Sequence, residues 1–108
     1  MATLDDVRRM VLSLPETSEK SHLRMSAFCV ARIGFLSVTE DGRRVFLHAD
    51  EATVAAAISE DPAVFEQVRR GPTVLGLNTD LDAVDVALLT TLIEAAWRHR
   101  APKRLRKS

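Results

Sequence analysis

Apolar positions recur with a helical period over residues 3–14, where Leu4, Val7, Val11 and Leu14 fall on one stripe. Thr3 is the expected N-cap, with Asp6 three positions on as an imperfect capping box. Asp5 and Asp6 suit the positive end of the helix dipole. Pro15 stops the helix by pushing Leu14 out of the helical region. The stretch "PETSEKSHLRMS" is polar and without period, and reads as a loop. Beyond it the pattern predicts three strands, near Ala27–Ala31, Gly34–Thr39 and Arg44–Ala49. "ARIG" joins the first two. Asp41-Gly42, inside "TEDGRR", marks a hairpin between the second and third, since both residues tolerate positive φ. Phe28, Val30, Phe35, Val45 and Leu47 form the expected core face of this meander.

Asp50 then caps a helix, "EATVAAAIS", whose alanines give it high intrinsic propensity. "EDPAVFEQV" reads as a further short helical turn, with Pro62 near a first helical position and Val64, Phe65 and Val68 holding it to the core. One more strand is expected near Thr73–Asn78. Asp82 is the expected cap of a last helix from Ala83 to about Arg100, with a stripe of Leu88, Leu89, Leu92, Ile93 and Ala96. Pro102 ends it. The order is α-β-β-β-α-β-α. Such a meander must bury one face against its helices, so the fold class is α+β: a two-layer sandwich, an antiparallel sheet with helices on one face. With 108 residues there is room for one domain, read as 1–101, followed by a basic C-terminal tail, 102–108.

Charge changes this picture more than composition does. Lys plus Arg and Asp plus Glu number 15 each, and the formal net charge is zero. The distribution is uneven: every acidic residue lies at or before Glu94, whereas Arg98, Arg100, Lys103, Arg104, Arg106 and Lys107 crowd the last eleven positions. A neutral chain with a basic end still carries a local surface that attracts anions. The single cysteine cannot form an internal disulfide, which fits a reducing compartment. "MATLDDVRRM" has no apolar core of signal-peptide length. "AVDVALLTTLIEAAW" is interrupted by an aspartate and two threonines and does not read as a membrane span. A cytoplasmic location is the resulting expectation.

Catalytic and metal chemistry find little support. Cys29 lies between Phe28 and Val30 in a predicted strand, the setting of a buried, inert cysteine, and no local signature supplies His22 as its base. His22, His48 and His99 are isolated, without H-x-x-x-H or C-x-x-C spacing. Asp80, Asp82 and Asp85 lack calcium-loop spacing. The four glycines make no phosphate-cradling loop. No metal, cofactor or catalytic residue is therefore expected. The remaining signal is arginine at turns. Arg24 and Arg32 flank the first strand, Arg43 and Arg44 follow the Asp41-Gly42 hairpin, and Arg69 and Arg70 precede Gly71. Such side chains recruit phosphates without reading sequence.

The chain resembles the MmcQ/YjbR family of small bacterial proteins over nearly its whole length. The likeness rests on "LSLPETSEKSHLRMSAFCV", "GFLSV" and "LLTTLIEAAWRHRAPKRL", within which Leu14, Pro15, Glu16, Glu19, His22, Ala27 and Phe28 follow the family's order. The resemblance implies a CyaY-like fold, a DNA-binding role through a double-wing arrangement of hairpins, and no catalytic motif. Iron binding of the frataxin kind is not implied, because Asp5 and Asp6 are followed at once by Arg8 and Arg9. The expected function is thus non-enzymatic DNA binding, with phosphate contacts through Arg43, Arg44, Arg69, Arg70, Lys103 and Arg104. The alternative is a protein- or small-ligand-binding module that uses the sheet face or the loop around His22–Met25.

Overall fold

Thr3 opens α1 (Leu4–Leu12). In the computed structural model, which describes residues 2–22 and 25–106 with all side chains but those of His22 and Arg106, the capping box is complete. The Thr3 hydroxyl accepts from the Asp6 N–H at 3.2 Å, and the Asp6 carboxylate accepts from the Thr3 N–H at 2.9 Å. Val7 and Val11 are fully buried, and Leu4 and Leu14 pack partly against the core. Glu16, with a φ of 54°, turns the chain back beneath the helix.

The segment read as a loop contains a strand, β1 (Thr17–His22), paired antiparallel with β2 (Met25–Val30). Its polarity hides it. The side of β1 that faces α1 carries Thr17 and Glu19, and both are satisfied by polar bonds instead of apolar packing. The Thr17 hydroxyl donates to the Val11 carbonyl at 2.9 Å. Glu19 accepts from Arg8 Nε and Nη2 at 2.7 and 3.0 Å, a bidentate pair that holds its carboxyl below the usual carboxylate range.

The three expected strands follow as β2, β3 (Ile33–Val38) and β4 (Arg44–His48). β2 and β3 are joined by Ala31 and Arg32 alone, since Val30 pairs with Ile33. Both linking residues have positive φ, 47° and 72°, the pattern of a type I′ hairpin that normally recruits Asn and Gly. In the next hairpin only Gly42 needs positive φ. The Asp41 carboxylate instead accepts from the Thr39 hydroxyl and the Arg43 N–H. α2 (Glu51–Glu60) starts at Asp50, whose carboxylate takes the Thr53 N–H at 2.8 Å.

The helical turn expected over "EDPAVFEQV" is replaced by one turn at Pro62–Val64 and then a strand, β5 (Phe65–Arg70), paired with β6 (Thr73–Asp80). Asp85, and not Asp82, caps α3 (Val86–Arg100), its carboxylate accepting from the Leu88 N–H at 3.0 Å. Asp82 sits in the preceding turn, its N–H on the Asp80 carboxylate at 2.9 Å. Leu81 and Val84 are buried there, which moves the helix start beyond them. The α3 stripe is Leu89, Leu92, Ile93 and Ala96, joined by Trp97, whose Nε1–H donates to the Pro15 carbonyl at 3.0 Å. A last turn of helix, α4 (Lys103–Arg106), lets Leu105 pack against the core.

All strands are antiparallel, in the order β1-β2-β3-β4-β6-β5. α1, α2 and α3 lie side by side on one face, α1 over β1, α3 over β3 and β4, α2 over β5 and β6. The register carries Phe28, Leu36, Leu47 and Leu77 across that face in one row, and Val38, Val45, Thr79 and Phe65 in the next. All five residues of the expected core face are 0–1% exposed. Phe35 joins them because it is the extra residue of a β-bulge: Phe28 faces Leu36 while Cys29 faces Gly34. Gly76 is fixed by close approach, since a Cβ there would lie 1.9 Å from the Leu47 carbonyl oxygen. The protein is thus α+β, with an open six-stranded antiparallel sheet.

Candidate nucleic-acid interface

The register sorts the turns into two ends of the sheet. One end holds the β3–β4 turn, the close of β6 at Asp80, and the turn before α3. The other holds the two tight hairpins, Ala31-Arg32 and Gly71-Pro72, with the close of β4 and the last turn of α3.

The five arginines and one lysine of the sequence reading divide between these ends. Arg43 and Arg44 stand at the first, among acids. Arg43 Nε lies 3.6 Å from Asp82 Oδ2, and Arg44 is paired in register with Asp80. Arg44 lines a cleft of about 280 Å³ with Glu66, Asn78 and Asp80. Glu40, Asp41 and Asp61 occupy the same end. Arg69, Arg70, Lys103 and Arg104 stand at the second end. Arg69 and Arg70 are exposed beside the Gly71-Pro72 tip, where Gly71 has a φ of 59° and Arg69 Nη2 donates to the Pro72 carbonyl at 3.3 Å. Arg104 is engaged by both oxygens of Glu16, at 2.5 and 2.8 Å. That pair holds the Glu16 carboxyl below its ordinary range. The loop expected to serve as a pocket begins at His22, and its Leu23 and Arg24 lie outside the described residues.

The second end also gathers basic groups that the sequence reading did not assign to a site. Arg32 forms the tip of the β2–β3 hairpin. Arg98, His99 and Arg100 fill the last turn of α3, where cations complement the helix dipole. Arg100 Nε reaches round the end of the sheet to the Gly34 carbonyl at 3.0 Å. The signal for Arg32 was present in "ARIG", a connection too short to be other than a hairpin tip. Placing Arg69 and Arg70 at the same end required β5.

The other feature of this region is the sheet face without helices. Counted by register, Lys20, Ala27, Ser37, Phe46, Asn78 and Glu66 form a row across it. His48 lies two positions from Phe46 and packs edge-on against it, centroids 4.9 Å apart and planes at 76°. Burial, then the charges of Arg100 and His99, push the His48 imidazolium pKa down, favouring the neutral ring. Cys29 also alternates to this face, apart from the main core cluster, and is 6% exposed. Among the described residues no three His, Cys, Asp or Glu side chains converge as metal ligands, and no helix is long and apolar enough to cross a membrane.

No protein-family model matches the chain, and no curated protein matches it. The fold is similar to that in the crystal structure of Deinococcus radiodurans protein DR2400, a DUF419 domain, with a TM-score of 0.80. The two chains are 20% identical, over 99% of this chain and 84% of that one. At that identity the likeness is one of fold, and this chain shares the α+β architecture of the DUF419 protein.

Proposed function

We propose that this is a non-enzymatic DNA-binding protein of the MmcQ/YjbR type, acting in the cytoplasm, and that it contacts phosphates with the basic end of its sheet. The observation that carries the reading is the grouping of Arg32, Arg69, Arg70 and Lys103 at one end, where Arg98 stands beside Asp50 and Glu94, while Glu40, Asp41, Asp61, Asp80 and Asp82 occupy the other. A neutral protein polarised in this way presents a surface of several kT to a polyanion and orients it on approach. Phosphate contacts then give affinity without base reading. Arg43, Arg44 and Arg104 contribute less in this reading, the first two beside acids and the third on Glu16. The quoted family-like stretches and the DUF419 likeness support the family assignment.

Two residues add to the case. Ala31 and Arg32 both sit at positive φ where Asn-Gly would be relaxed. Non-glycine residues kept in such conformations cost about 1 kcal/mol each and concentrate at working sites. Arg32 at the tip gains a projecting cation for that cost.

The test is a salt titration of binding to a 20-base-pair duplex. The expected log–log slope is about −3 to −4, as for three to four phosphate contacts. Arg69→Glu/Arg70→Glu is expected to weaken binding at least tenfold, and Arg43→Glu/Arg44→Glu far less. Undetectable binding at low salt, or affinity that does not fall as salt rises, would sink the proposal.

A further inference from the structure

The helix-free face adjoins the basic end, and its composition is unusual for a solvated sheet surface. Along β4 the outward positions are Arg44, Phe46 and His48. Phe46 is the large aromatic of the face, half-buried and flanked across the strands by Ser37 and Asn78. His48 is flanked by Gly76 on one side and by the bulged Gly34–Phe35 segment on the other, so one neighbour has no side chain at all and Phe35 turns into the core. These small neighbours leave Phe46 and His48 as a pair of half-buried rings above β4, 4.9 Å apart with planes at 76°, each partly open to solvent.

We infer that this face binds unpaired bases of single-stranded nucleic acid, one base stacking on Phe46 beside His48 while the phosphates run to the Arg32 and Arg69–Arg70 tips. Stacking on an aromatic is open to every base, because every base has a π-face. A duplex cannot stack on Phe46 in this way, since its bases are already stacked. Charge fits the same occupant. Arg32 and Arg69–Arg70 close the β2–β3 and β5–β6 hairpins on either side of β4, and these hairpins are separated by roughly three strand spacings, ~15 Å, the span of a few nucleotides. Lys20 lies at the far edge of the row. Ser37 and the Asn78 amide, whose Nδ2 donates to Glu66 Oε1 at 3.4 Å, put hydrogen-bonding groups on either side of the ring. The inference rests on the basic end being a phosphate-binding surface and names the form of nucleic acid it serves.

Fluorescence anisotropy with a labelled ten-residue oligo-dT and a duplex of equal length tests it. Wild type is expected to bind the single strand more tightly than the duplex. Phe46→Ala is expected to weaken single-strand binding about tenfold, within the range for removing one stacking partner, and to leave duplex binding unchanged. Phe46→Leu keeps the apolar volume without the π-face and guards against misfolding; it should show the same loss, and Phe46→Trp should retain or raise affinity. If single-strand affinity is unchanged in Phe46→Leu and in Phe46→Ala, the face does not bind bases, and the phosphate reading stands alone. If wild type binds neither probe, that reading fails and takes this one with it. Sedimentation at equal concentrations gives a third outcome: a dimer that Phe46→Ala dissociates would assign the face to a second copy of the chain and overturn the inference.

Discussion

The two faces of one sheet differ more than any two elements of this protein. Leu47 and Phe46 are consecutive residues of β4, and their side chains meet different surroundings. Leu47 lies in a row with Phe28, Leu36 and Leu77 beneath the helices, 1% exposed. Phe46 lies in a row with Lys20, Ala27, Ser37, Asn78 and Glu66, with no helix over it. Strand alternation therefore separates the covered core from the open face at a spacing of one residue. A sharp way to break the comparison is to truncate both. Leu47→Ala should cost about 3 kcal/mol in denaturant unfolding, the lost transfer free energy plus a cavity. Phe46→Ala should cost about 1 kcal/mol, since part of its area is already in water. Equal losses would mean that the outer face is core in all but name.

The same alternation explains what the sequence made legible. The central strands, α1 and α3 carry their apolar residues at the right period, α2 shows itself by its Asp50 cap and its alanines, and the expected core face is buried residue for residue. The two strands that escaped, β1 and β5, are the two edges of the sheet. Edges are kept polar or charged against intermolecular pairing, so "TSEKSH" and "FEQVRR" show little of the apolar pattern by which strands are found. The α3 cap slipped for a similar reason: Asp80, Asp82 and Asp85 all have capping chemistry, and only the burial of Leu81 and Val84 selects the last. For the candidate site, sequence identified the arginines but not their grouping. Which arginines share an end depends on register across six strands, and Arg69–Arg70 reach theirs through β5.

Thr79 is the fully buried polar residue of the covered face and sharpens the comparison in the opposite direction. It is 0% exposed, in register with Val45 and Phe65, and its Oγ1 has no hydrogen-bond partner among the described residues. A buried hydroxyl without a partner has lost water and gained nothing in return. Thr79→Val keeps the shape and removes the polar atom. It should stabilise the protein by about 1 kcal/mol, read as a higher urea midpoint at unchanged slope. A lower midpoint would show that the hydroxyl is bonded, and that this row of the covered face is not purely apolar.

The smallest expected effect tests whether the outer face has any interior of its own. Burial holds the His48 pKa below its ordinary 6.5 in the folded chain, with the charges of Arg100 and His99 adding to the shift. The unfolded chain therefore binds more protons at this residue as pH drops below about 6.5. Stability attributable to His48 is present above that pH and is lost as pH falls through the depressed folded value. The lowered carboxylates, Asp6, Glu16, Glu19, Asp41 and Asp50, have the same sign but act from ordinary values of 3.8 and 4.5, so their loss comes at lower pH. Between pH 7 and 5 the His48 contribution is separable from theirs. His48→Gln should flatten the fall in unfolding free energy across that window and leave the steeper acid loss below pH 4.5 intact. Parallel curves for the two proteins would mean that His48 is solvated like any surface histidine, and that the pairing with Phe46 encloses nothing.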